Sequence, residues 1–205
     1  MYLVAGCLLF ADKVKTNSKQ ILNRMITPEQ AGKLLTEWIE TPNLQHHCRM
    51  VATAMQACAQ KLGHNEATVQ EWWLAGLLHD LDWEKYPDEH PNYALEHVLP
   101  QTGLSQAALL AIKAHAPERT GKQPESEIER YLFACDELSG FMHAVSLMRP
   151  DGFTGMKAKS VTKKLKDKKF AANVSREDIS RGAELIEADL NAHIEFLAGV
   201  FEKMP

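Results

Sequence analysis

The sequence predicts an all-α, single-domain fold, and three observations carry that expectation. Apolar residues recur at steps of three and four along most of the chain. Helix start and stop signals bracket those runs. No segment shows strand-like alternation over a useful length, and neither an internal repeat nor a linker interrupts the 205 residues, a length that suits one sizeable core and is short for two.

Each element can be justified in order. Thr27-Pro28-Glu29-Gln30 is a helix start, with a Thr cap, Pro at the first helical position and Gln closing a capping box. Ala31, Leu34, Leu35, Trp38 and Ile39 follow at helical spacing until Thr41-Pro42 stops the run. A second helix is expected from Leu44 to Leu62, with Leu44, Cys48, Val51, Met55 and Leu62 on one face and Gly63 as terminator. The third runs from Asn65 to His79, the fourth from Pro91 to Leu99-Pro100, and the fifth from Ser105 to Ala114 with Pro117 beyond it. A sixth spans Glu125 to Met148 and ends before Pro150. The lysine-rich stretch Lys157 to Lys169 reads as helical. Ser175-Arg176-Glu177-Asp178 then caps a long last helix, whose apolar positions Ile179, Ala183, Ile186, Leu190, Ile194, Leu197 and Phe201 step almost to the end.

Hydrophobic content of 45% and charged content of 24% are ordinary for a globular protein. The formal net charge of -4 gives no reason to expect a nucleic-acid polymer as partner. The four cysteines (Cys7, Cys48, Cys58, Cys135) lack CxxC pairing, which favours reduced, buried thiols in a cytoplasmic protein over disulfides. Residues 1–25 read as a non-conforming N-terminal extension, poorly ordered, ahead of a domain over 26–205. Val4-Ala5-Gly6-Cys7 imitates a lipoprotein cleavage box, but no Lys or Arg precedes the apolar run and the stretch is too short to span a membrane. No membrane association is expected, and self-association is left open.

The chemistry concentrates on a few titratable residues. His79-Asp80 ends the apolar run Trp72-Trp73-Leu74-Ala75-Gly76-Leu77-Leu78. Such side chains seldom follow seven apolar residues unless a partner compensates their burial, and a metal ion does that well. His47 lies at the edge of the buried stripe of its helix, where a lone histidine is more often a core residue than a ligand. Its companions change that reading. Asp136 interrupts another apolar stripe, one turn after Leu132 and one turn before Gly140. Four ligands of mixed imidazole and carboxylate type suit Mn, Fe, Co, Ni or Zn better than an all-oxygen Mg or Ca site.

The order His47…His79-Asp80…His90…His115…Asp136 within a helical chain resembles the HD-domain metal-dependent phosphohydrolases, and within them the HDIG-type bacterial hydrolases. "GLLHDLDWEKYPDEHP" and "DELSGFMHAVSLMRP" are the most specific stretches, and the resemblance spans roughly Thr27 to the C-terminus. It implies a helical HD-domain bundle with His47, His79, Asp80 and Asp136 as metal-binding quartet. By the order seen in dinuclear branches, His90 and His115 would hold a second ion, with Asp80 as bridging carboxylate. The plainer alternatives are a solvated loop residue for His90 and a helix C-terminal cation for His115. The activity implied is hydrolysis of a nucleotide or other small phosphate ester through a metal-bound hydroxide.

The chain departs from family patterns in ways that bear on catalysis. The HD-x-G-K variant has Gly where Asp82 stands and Lys where Trp83 stands. The nucleotidase branch has a catalytic Glu at the Trp83 position, with Glu84 one residue out of register. Asp82 and Glu84 are therefore the candidates for proton transfer beside Asp80. The GYP signature of the diguanylate-cleaving branch is missing. Candidates for substrate phosphate are Arg119, Arg149, Lys157 and Lys163, although a lysine run is usually a solvated face. His143, seven residues after Asp136, either lines the pocket or packs. His64, His97 and His193 read as surface residues, and the four tryptophans as core, with Trp83 able to border the site. Two other functions remain open: an HD-type di-iron oxygenase, which the same ligands would serve, and a non-catalytic protein that binds a nucleotide or partner.

Overall fold

The computed structural model describes residues 25–204. Residues 1–24 of the N-terminal extension, including Cys7, lie outside the described residues. Among the described residues there are ten α-helices, one 3-10 turn and no strand. The expected all-α architecture is the one observed.

Helix α1 (Pro28–Trp38) opens with the capping box read from the sequence: Thr27 Oγ1 accepts from Gln30 N–H while Gln30 Oε1 accepts from Thr27 N–H. Helix α2 (Pro42–Lys61) begins two residues earlier than expected, with Pro42 at its first position. It ends in a Schellman turn, in which Gly63 takes a φ of 81° and His64 N–H donates to Ala59 O. That turn sends α3 (Glu66–Leu78) back along α2, and the two make the most extensive helix pair among the described residues. Gly76 is what lets them approach. A Cβ built on it would lie 2.8 Å from Ala52 Cα and 2.9 Å from Val51 O, so only hydrogen fits.

The next elements are short. Helix α4 (Asn92–His97) gives way to a 3-10 turn over Leu99–Thr102, so the single helix expected there is two pieces. Helix α5 (Gln106–Ala114) matches its expected range. A one-turn helix, α6 (Pro117–Thr120), follows where only a terminating proline was read. Helix α7 (Glu127–Ser146) crosses the molecule and packs on α2, on α5 and on a later helix, α9 (Arg176–Leu185). The lysine-rich helix α8 (Ala158–Leu165) is shorter than its charge run.

The expected single last helix is two, α9 and α10 (Leu190–Phe201). Glu187 adopts a left-handed φ of 53°, Ala188 N–H bonds back to Ala183 O, and the Asp189 side chain accepts from Ala192 N–H to start α10. A Schellman turn on a non-glycine residue, followed by an Asp cap, breaks the helix while its three-and-four spacing continues across the break. His193 on α10 is buried rather than on the surface, and burial pulls its pKa down to about 4. One continuous core joins α1, α2, α3, α5, α7 and α10. No described helix is long and apolar enough to cross a membrane.

Candidate metal centre

Two long helices, two helix ends and the turns between α3 and α4 deliver the cluster. His47 comes from the first turns of α2, and Asp136 from the middle of α7. His79 is the C-terminal cap of α3 and His115 that of α5, so both rings stand where helix carbonyls point and where positive charge is favoured. Asp80 follows His79 into the turn, and His90 ends the irregular stretch before α4. His90 and His115, at 2% and 8% exposure, are neither solvated loop residue nor free helix-end cation.

The carboxylate of Asp80 divides the cluster. Its Oδ2 lies 3.3 Å from His79 Nε2 and 3.7 Å from His47 Nε2. On the same side, Asp136 Oδ1 is 2.9 Å from His47 Nε2 and 3.3 Å from His79 Nε2. The other oxygen, Oδ1, lies 3.4 Å from His90 Nε2 and 3.6 Å from His115 Nε2. Donor atoms of His47, His79 and Asp80, and those of Asp80, His90 and His115, each fall within 4.8 Å of one another. Donor atoms of His79, His115 and Asp136 meet the same limit, so the sets overlap at His79 and His115, with the Asp80 carboxylate shared between His47 and His79 on one oxygen and His90 and His115 on the other.

The ring orientations test whether cations fit. His79 Nδ1 faces Gly76 O at 2.8 Å, His115 Nδ1 faces Ile112 O at 2.5 Å, and His90 Nδ1 faces Asp82 Oδ1 at 2.7 Å. Carbonyl and carboxylate oxygens only accept, so each Nδ1 carries a hydrogen and Nε2 is the ring nitrogen each histidine turns inward, where it can offer a lone pair to a metal. His90 and His115 Nε2 then sit 3.2 Å apart as two lone pairs, and His79 Nε2 is buried without a hydrogen-bond partner. Converging lone pairs and carboxylates in a buried site repel one another unless a cation lies among them. The donor set therefore fits divalent ions. Burial opposes the charged form of His79, but Asp80 and Asp136 outweigh it and hold its pKa well above the usual histidine value. Burial likewise opposes ionisation of Asp80 and Asp136, yet His79 and the neighbouring rings keep both carboxyls well below the normal range.

A cavity of about 330 Å³ opens over the cluster and adjoins a wider groove of about 1000 Å³ past His47, Trp83 and Gly140. Its walls correct several expectations. Asp82 is fully buried, and its two oxygens are taken by His90 Nδ1 and, at 2.8 Å, by Ala94 N–H, so it has no free oxygen for a substrate proton. Glu84 accepts from Glu40 N–H, Thr41 N–H and Thr41 Oγ1 at 2.9–3.1 Å, anchoring the start of α2, and these donors lower its pKa. Arg149 holds its own loop through Gly152 O and Thr154 O. Lys157 caps α8 and Lys163 lies on its exposed side, and neither lines the cavity. His143 packs against His46, ring centres 4.5 Å apart, away from the lining.

Arg119 does line it, with its guanidinium 4.8 Å from the Trp83 ring centre and Nη1 donating to Pro87 O at 2.6 Å. Trp83 is 40% exposed and turns its edge to His90, so it borders the site. Sequence reasoning missed most of the remaining wall, including its polar members Glu118, Glu137, Asn173 and Asp178. Burial, then the like charges of Asp136 and Asp178, push the Glu137 carboxyl up to about 7. The adjacent pair Asp136-Glu137 was the one available signal. Asp178 was visible only as part of a helix cap.

The remaining cysteines are free and buried, with Cys58 and Cys135 Sγ 3.9 Å apart in a thiol hydrogen bond and no disulfide between them. Burial and the nearby carboxylates of Asp80 and Asp136 push the Cys48 thiol up.

Residues 44–140 match the family model of the HD domain. That span contains all six residues of the cluster and is narrower than the Thr27-to-terminus resemblance. No curated protein and no solved structure matches the chain. The family consists generally of hydrolases that bind divalent metals, and its helical fold and His/Asp cluster are both present here. Residues 44–140, which carry the whole cluster, are thus a domain of the HD superfamily.

Proposed function

We propose that the protein is a two-ion phosphohydrolase of the HDIG type acting on a small phosphate ester, such as a nucleotide, in the cytoplasm. One observation carries the reading: the two oxygens of Asp80 face different pairs of histidines, His47 with His79 and His90 with His115. Mn, Fe, Co, Ni and Zn are the candidate ions, because imidazole supplies most of the donors. Divalent ions held there would lower the pKa of bound water and polarise a phosphoryl oxygen.

The chain's own residues orient and exclude. Gly76 O, Ile112 O and Asp82 keep the three rings in one tautomer. Arg119, steadied by Trp83 and Pro87 O, is the one Arg or Lys on the cavity wall among the described residues and the natural partner of a phosphate oxygen. Glu118, Glu137 and Asp178 face it, and this acidic balance favours a compact ester with little negative charge beyond its phosphate. A nucleic-acid polymer would be repelled. The free buried thiols accord with a reducing compartment.

The test is phosphate release from a panel of nucleotides and small phosphate esters by protein loaded separately with Mn, Co, Ni, Fe or Zn. Release that depends on added metal supports the proposal. Oxygen uptake that depends on iron, without phosphate release from any ester, would replace it with the oxygenase reading. Metal binding with neither activity would leave a binding protein.

A further inference from the structure

Asp82 stands where the HD-x-G-K pattern has glycine, and it is completely buried. A buried carboxylate must be met by donors. It has two, His90 Nδ1 at 2.7 Å on Oδ1 and Ala94 N–H at 2.8 Å on Oδ2. His90 differs from the other inward-facing rings in how it is held. His79 and His115 give Nδ1–H to carbonyls three residues earlier in their own helices. His90 lies outside any helix, and a side chain eight residues away orients it.

We infer that Asp82 is a positioning residue for the second ion. By accepting from His90 Nδ1 it fixes the tautomer that leaves Nε2 bare toward Asp80 and His115, and so determines whether this chain holds one ion or two. The inference rests on the two-ion reading above. A carboxylate behind a ligating imidazole fixes ring orientation and tautomer, and its loss typically weakens metal binding about 10–100-fold. Here the main-chain N–H of Ala94 sharpens the requirement, because it can only donate. An Asn at position 82 must turn its oxygen to Ala94 and its NH₂ to His90 Nδ1. A donor there selects the tautomer with hydrogen on Nε2, which has no lone pair to offer a metal. The opposite rotamer sets NH₂ against the Ala94 N–H in a dry site. Neither arrangement of the isosteric Asp82→Asn restores what the carboxylate does.

The experiment is equilibrium dialysis against Mn²⁺, with metal content measured per chain, on the wild type and on Asp82→Asn. The wild type should take up two ions. Asp82→Asn should keep the tighter ion with affinity changed less than about twofold and bind the other about 10–100-fold more weakly. Two ions in Asp82→Asn at wild-type affinities would overturn the inference and leave the two-ion reading intact. A single ion in the wild type would overturn the two-ion reading, and the inference with it. Should Asp82→Asn fail to fold by circular dichroism, the wild type itself decides. In zinc-loaded protein labelled with ¹⁵N-histidine, with His90 assigned by its loss in His90→Gln, His90 should carry its hydrogen on Nδ1. An unprotonated Nδ1 would overturn the proposal.

Discussion

The two halves of the cluster are built differently, although one carboxylate joins them. His47, His79 and Asp136 stand on or at the end of α2, α3 and α7, which each run for 13 to 20 residues and pack on one another. His90 and His115 come from a turn region and from the end of the nine-residue helix α5. The first half is placed by helix packing, and the second by individual hydrogen bonds to its rings. A packed half should respond to changes of side-chain volume, and a hydrogen-bonded half to changes of donor and acceptor.

The largest expected effect abolishes the distinction. Asp80→Ala removes an oxygen from each half, so metal content should fall in both and ester hydrolysis should drop on the order of 1000-fold or more, in line with several kcal/mol of transition-state stabilisation. The core does not depend on Asp80, and removing one of several crowded donors should leave thermal stability unchanged or raised. Full activity in Asp80→Ala would assign the hydrolysis to a contaminant.

Next come two stability tests of the packed half. His193 on α10 lies against the Ala134 backbone, two residues before Asp136, with a folded pKa of about 4 against 6.5 unfolded. Between those values the unfolded chain binds the proton and the folded chain does not, so stability rises with pH across the window and is lost as pH falls through it. The lost contribution is about 3 kcal/mol by pH 4. Denaturant titrations of His193→Gln should show a shallower acid decline than the wild type, and identical slopes would remove His193 as the cause. Gly76→Ala forces a Cβ into Ala52 and Val51 and should destabilise by about 1–3 kcal/mol. Retained wild-type stability would mean that α2 and α3 slide apart without cost.

The same contrast explains what could be read from the sequence. His47, His79, Asp80 and Asp136 were legible because each breaks an apolar period, and a charged group on a buried face demands an explanation. His90 and His115 have no such period around them and emerged only from the order of the motif. Asp82 and Glu84 were read as catalytic from their places in or beside the family's patterns after Asp80. Their partners, Ala94 and Thr41, are set by tertiary folding and leave no trace in spacing. The break between α9 and α10 was hidden because Ile186 and Leu190 keep helical spacing across a Schellman turn that lacks its usual glycine. The wall from Asn173 to Asp178 was hidden for a related reason: it reaches the site by packing of α9 on α7, far along the chain.

The smallest effects separate the cation beside the second half from the cations that only resembled candidates. Arg119 is held by Trp83 and Pro87 O at the cavity wall, close to His115 in the chain. If it meets the substrate's phosphate in ground state and transition state alike, Arg119→Ala should raise KM about tenfold, with kcat and metal content nearly unchanged. Lys157 and Lys163 are solvent-exposed on or at the end of α8 and lie outside the lining, so their replacement by Ala should shift KM by less than about twofold. The three variants, assayed on one ester at one ionic strength, make a controlled series, because each removes one positive charge and only Arg119 removes it from the cavity. A KM that rises equally in all three would mean that long-range attraction by the whole basic surface steers the substrate in. Raising the salt concentration would then erase the differences. A rise confined to Arg119→Ala that survives added salt would mean direct contact, with the phosphate approaching from the side of the second half.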